Sequence, residues 1–85
     1  MYTALVADSE NTKLKPGDSV ILVEVPPGLL NDLPIDDQQA INEIVGKSVL
    51  LNEYDGSERA ELQFRDRKGV IHFIWVNPSF IRAAD

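Results

Sequence analysis

The stretch Val70-Ile71-His72-Phe73-Ile74-Trp75-Val76-Asn77-Pro78-Ser79-Phe80-Ile81 decides how this chain is read. A near-continuous apolar run stops at Asn-Pro-Ser and resumes with Phe-Ile. Proline cannot donate to a ladder, so the pattern predicts a buried strand, a tight turn and a short closing strand, as at the end of a small closed β-barrel. Alternation sets Ile71, Phe73 and Trp75 on one face and Val70, His72, Ile74 and Val76 on the other. Both faces are apolar. That predicts a central strand with one face on the core and the other covered by a helix or a partner.

Immediately upstream, Ala60, Leu62 and Phe64 alternate with Arg59, Glu61, Gln63 and Arg65, the clearest half-buried strand in the chain. Asp66-Arg67-Lys68-Gly69 and Asp55-Gly56-Ser57 read as hairpin turns, the latter closing a strand from Lys47 to Tyr54. Further back the period becomes helical, with Ala40, Ile41, Ile44 and Val45 on one face. Asp36 with Gln39 completes a capping-box pattern, and Gly46 is placed to end the helix in a left-handed conformation. Ser19 to Val25 is β-branched and reads as a strand between the turn at Lys15-Pro16-Gly17-Asp18 and the stop at Pro26-Pro27-Gly28. Leu29 to Ile35 is a loop. Tyr2, Ala4 and Val6 alternate with Thr3, Leu5 and Ala7 as in a short strand, and Asp8 to Lys15 is a polar connector. Residues 1–85 thus read as a single domain, with 1–15 as an N-terminal extension.

The chain has 85 residues, the size of one small domain. Such a chain buries roughly 60–65% of its unfolded surface, which leaves little material for a deep reaction cavity. Fourteen carboxylates against eight basic residues give a net charge of −6. That balance disfavours nucleic acid and anionic membranes, both of which are gripped by Lys and Arg, and fits a partner with a basic or apolar face. There is no cysteine, hence no disulfide, thiolate metal site or cysteine nucleophile. The start Met1-Tyr2-Thr3-Ala4-Leu5-Val6-Ala7 lacks the basic and long apolar parts of a signal peptide. The location expected is cytoplasmic.

Few residues carry chemistry. His72 is the only histidine and sits inside an apolar strand with no nucleophile or orienting acceptor near it in sequence. It is read as structural. Asp36-Asp37 does not continue into the alternating oxygen ligands of a calcium loop, and a helix dipole accounts for both carboxylates. Tyr54, Trp75 and Phe80 form a candidate aromatic patch beside the acidic segment containing Asp36 and Asp37. Together these five are the candidate protein-binding residues, the competing reading being that Trp75 and Phe80 fill the core. Arg59, Arg65, Arg67 and Lys68, on one hairpin, are the candidate contacts for nucleic acid under the alternative reading. They are mixed with Glu58, Glu61 and Asp66, whereas residues 24–43 hold Glu24, Asp32, Asp36, Asp37 and Glu43 and no basic residue. The two segments read either as solvated faces or as a charge dipole that would orient the domain on a partner or on a second copy of itself.

The order strand, long excursion with a helix, three hairpin-linked strands, short turn and final strand resembles the SH3-like small barrel. Pro78-Ser79-Phe80-Ile81 is similar to the end of an SH3 domain, and the resemblance covers roughly residues 16 to 82. It implies a mainly β fold: a small antiparallel barrel of about five strands with a 3₁₀ turn before the last and one short α-helix between the first and second. The Ala-Leu-Tyr-Asp-Tyr-like segment of peptide-binding members is absent, and a helix replaces most of the loop that would line a proline-peptide groove. The function expected is therefore a non-catalytic protein-interaction module or accessory subunit without a cofactor, with self-association possible. The alternative is a barrel of the transcription or translation type.

Overall fold

A computed structural model describes residues 14–84. The strand expected over residues 1–7 lies outside the described residues. Five strands, β1 (Ser19–Leu22), β2 (Ser48–Tyr54), β3 (Ala60–Arg65), β4 (Ile71–Val76) and β5 (Ile81–Ala83), form one antiparallel sheet, with helix α1 (Ile35–Ile44) between β1 and β2. Their spatial order is β4-β3-β2-β1-β5. This is the mainly β architecture with one inserted helix that the sequence predicts.

One face of the sheet carries the core. Val20 and Leu22 of β1, Val49 and Leu51 of β2, Ala60, Leu62 and Phe64 of β3, Ile74 and Val76 of β4 and Ile81 of β5 are all buried. Each strand contributes every second residue, as the pleat requires. Against them α1 lays Ala40, Ile41 and Ile44, the face the helical period marks out, with Val45 packed at its margin. Gly46 takes φ +84°, the left-handed conformation a side chain resists, and its N–H donates to Leu22 O at 2.9 Å. The end of the helix is thereby pinned to β1.

The two hairpin turns share one construction. Asp55 accepts from the N–H groups of Ser57 and Arg59, and Asp66 from those of Lys68 and Val70, all at 2.8–2.9 Å. The fourth residue of each turn is left-handed, Glu58 at φ 66° and Gly69 at φ 85°. A short acceptor at the first position explains why Asp opens both turns.

Three details depart from expectation. The helix starts at Ile35 behind Pro34, and no side chain caps it. Asp36 and Asp37 lie inside its first turn, so the capping box does not form, and the carboxylates serve the helix dipole from within. Proline, with φ preset, is at home at such a boundary. Strand β1 is shorter than expected and stops at Leu22; Val23 N–H still donates to Phe80 O at 2.8 Å, continuing the β1–β5 register, before Pro26 and Pro27, which cannot donate to a ladder. Phe80 belongs to the 3₁₀ turn Pro78–Phe80, held by Asn77 Oδ1, which accepts from Ser79 N–H. Strand β4 is an edge strand instead of a central one, because β5 pairs with β1.

The sheet is curled but not closed. Laid flat, β4 and β5 would stand four strand spacings apart, roughly 19 Å. Only Asn77 and the 3₁₀ turn join them, a reach of about 14 Å given the short 3₁₀ rise. The edges therefore approach, yet no ladder joins β4 to β5 among the described residues. In place of a closed barrel there is, among the described residues, an open sheet whose outer strands are β4 and β5.

Candidate functional site

The predicted site residues do not form one patch. Tyr54 and Trp75 stand on opposite faces of the sheet, and the cause is a bulge. Leu51 pairs with Leu62 but Glu53 pairs with Glu61, so Asn52 is an extra residue that rephases the end of β2. Tyr54 then faces Ala60 on the core side, where its hydroxyl donates to Leu14 O at 3.3 Å. Burial raises the Tyr54 pKa, and the nearby charge of Asp18 raises it further. Phe80 is half-buried against the same core. Asp36 and Asp37 ride on α1, again on the core side.

Trp75 faces the other way, and it has company. With Ile71 and Phe73 it forms the outward row of β4; Phe73 is 54% exposed and Ile71 38%. Behind Phe73 lies Gln63 of β3, and behind Gln63 lies Leu50 of β2, itself 37% exposed. Arg65 stands beside Ile71 and Glu61 beside Trp75. The Arg59 guanidinium sits 5.8 Å from the centroid of the Trp75 ring and is held by Asp55 at 2.9 Å. This apolar surface, bordered by one cation and one anion on β3, is the largest set of exposed hydrophobic side chains the sheet presents. The sequence marks Ile71, Phe73 and Trp75 as one face of a strand that a helix or a partner would cover; Leu50 is the member of this surface that it does not signal.

The four basic residues are not gathered either. Arg59 is engaged with Asp55 at one end of β3, while Arg65 donates to Gly69 O at 2.9 Å at the other. Arg67 pairs with Glu43 of α1 at 3.2 Å. That exposed ion pair separates two solvent-open clefts of about 580 and 480 Å³ under the helix, each lined by both signs of charge.

His72 lies beneath α1 at the margin of the second cleft. Its Nε2 is 2.9 Å from Asp66 Oδ2 and its Nδ1 3.4 Å from Asp37 Oδ1, while the ring stacks on Phe64 with centroids 5.3 Å apart. A neutral imidazole can donate to one of these carboxylates and an imidazolium to both. The histidine thus links three elements: α1 through Asp37, the β3–β4 turn through Asp66, and β3 through Phe64. Each ring nitrogen lies within reach of a carboxylate. Among the described residues no group of three His, Asp or Glu side chains is arranged to hold a metal ion. No helix among them is long and apolar enough to cross a membrane.

The two turn aspartates have lowered pKa values. For Asp66 the leading cause is the hydrogen bond to His72, followed by the Val70 N–H; for Asp55 it is the Arg59 N–H. A depressed native pKa stabilises the fold above the unfolded value, ordinarily 3.8, and that contribution is lost as pH falls through the native value. Thermal melts should therefore show the midpoint dropping below about pH 4. Asp66→Asn and Asp55→Asn should each flatten the drop. An unchanged acid slope in both variants would contradict this origin.

Compared with known proteins, the chain matches no family model, no curated protein and no solved structure.

Proposed function

We propose that this chain is a non-catalytic protein-interaction module of the SH3-like small-barrel type, working through the open face of β4. The family reading is supported by the strand order, the long excursion between β1 and β2, and the 3₁₀ turn that precedes the last strand. The interaction reading rests on one observation above the others. Phe73, Ile71 and Leu50 stay more than a third exposed on the side of the sheet that α1 does not cover. An apolar face with a polar border and an aromatic at its margin is the anatomy of a contact surface. The partner it fits is a protein with an apolar patch. Where the partner is a different protein, the net charge of −6 favours one that is basic around that patch.

The test is capture of partners from the native host's lysate by the tagged protein, with Phe73→Ser and Trp75→Ala as controls. Both residues lie on the face that α1 does not cover, Phe73 exposed and Trp75 half-buried beside Arg59, so both variants should keep the wild-type circular dichroism. A partner retained by wild type and by Arg67→Ala, and lost with both face variants, is the expected result. Retention of every partner by the folded Phe73→Ser protein would remove this face from the function.

A further inference from the structure

Strand β4 offers more than side chains. In an antiparallel pair, successive residues point their N–H and C=O groups alternately toward and away from the neighbour. The Asp66 N–H bonds Val70 O, and the β3–β4 register continues from that pair through Phe64–His72, Leu62–Ile74 and Ala60–Val76. Val70, His72, Ile74 and Val76 therefore spend their backbone groups on β3. Ile71, Phe73 and Trp75 turn theirs to the open edge, where no strand lies among the described residues. These are the same residues whose side chains face outward.

Natural edges are usually protected by a lysine, a proline, a bulge or an inward charge. From Val70 to Val76 there is no lysine, proline or bulge, and the one ionisable side chain, His72, is directed under α1. The edge is largely apolar and six residues long.

We propose that β4 pairs antiparallel with β4 of a second copy of this chain, in the register that sets Phe73 opposite its own equivalent. That register brings all three outward-directed residues of each strand into hydrogen-bonded pairs. Ile71 then meets Trp75 of the second copy, and Trp75 meets its Ile71. Val70, 53% exposed in the single chain, comes opposite Val76 of the second copy. The charges agree with it. Arg65 flanks Ile71 and Glu61 flanks Trp75, so each row across the joint begins with a cation and ends with an anion of the other copy. The turn bearing Arg67 and Lys68 lies toward the second copy's turn bearing Asp55 and Glu58. The two-fold axis repeats both matches. This charge match, built into one hairpin, selects a second copy over an unrelated strand. The inference rests on the reading of the β4 face as a contact surface.

Sedimentation of the full chain from micromolar to near-millimolar concentration tests it. Wild type should shift from monomer to dimer. Phe73→Lys should weaken the dimer at least tenfold, as an edge lysine does in natural sheets. Ile71→Pro removes an outward donor at the first residue of a strand, where proline is tolerated, and should weaken it comparably while sparing the fold. Arg65→Glu and Glu61→Arg should each weaken association several-fold, and the double reversal should restore it. A wild-type monomer throughout overturns self-pairing; if Phe73→Ser still loses a captured protein, the contact-face reading survives that result. A dimer indifferent to both Phe73→Lys and Ile71→Pro also overturns it.

Discussion

Replacing Leu62 by Ala should remove a large share of the chain's stability. Leu62 is fully buried at the middle of β3, between Leu51 of β2 and Ile74 of β4 on the helix-covered face. Removing a buried Leu side chain costs about 2–5 kcal/mol, through lost burial and the cavity left behind. At roughly 0.05–0.15 kcal/mol per residue, a domain of this length holds about 4–13 kcal/mol in total. The loss therefore takes a large share of what there is. Leu50 provides the contrast, one residue from Leu51 but on the open face. Leu50→Ala should change stability by no more than about 0.5 kcal/mol. Urea titrations of the two variants check the pair. Equal losses would mean that the open face is covered in solution.

Replacing Ile41 by Ala should release the helix before it unfolds the sheet. Ile41 is almost fully buried and is the central anchor of α1 on the core. A ten-residue helix is below the roughly 12–15 residues at which helices persist alone, so α1 depends on that anchor. The cost is again about 2–5 kcal/mol, but it falls on one element. Native-state hydrogen exchange should show α1 amides losing protection while the amide of Leu62 keeps most of its own. His72 should report the event, because its contact with Asp37 goes with the helix. Parallel loss of protection across α1 and β3 would show instead that the two open as one unit.

What could be read from the chain follows from what writes itself into local sequence. The alternation in Ala60–Arg65, the helical face of Ala40, Ile41 and Ile44, and the Asp-opened turns are each set by near neighbours, and each appears where expected. The bulge at Asn52 is not marked by glycine or proline, yet it decides which face Tyr54 takes. For that reason the proposed aromatic patch divides between two sides of the sheet. The apolar character of β4 on both faces fits a central strand and an uncovered edge strand equally well. Only the pairing of β5 with β1, across sixty-odd residues, distinguishes them. His72 shows the same limit: Asp37 is far from it in sequence, and the contact exists because α1 folds back over the sheet. The capping box failed for a local reason, since Pro34 moved the helix start and took Asp36 past the position from which it could cap.

The pairing of β1 with β5 also determines how the domain would behave under tension. Val20 faces Ala83, Leu22 faces Ile81, and the Ala84 N–H reaches Ser19 O. The entry to β1 and the exit from β5 thus leave the sheet at the same end of one ladder. Force applied through the flanking chain loads its hydrogen bonds one after another, like a zipper, and never in shear. In a single-molecule pulling experiment the β1–β5 seam should yield first and at low force, and a high-force, all-at-once rupture would contradict this geometry. A fold whose core is sealed against water is, at its two ends, built to peel.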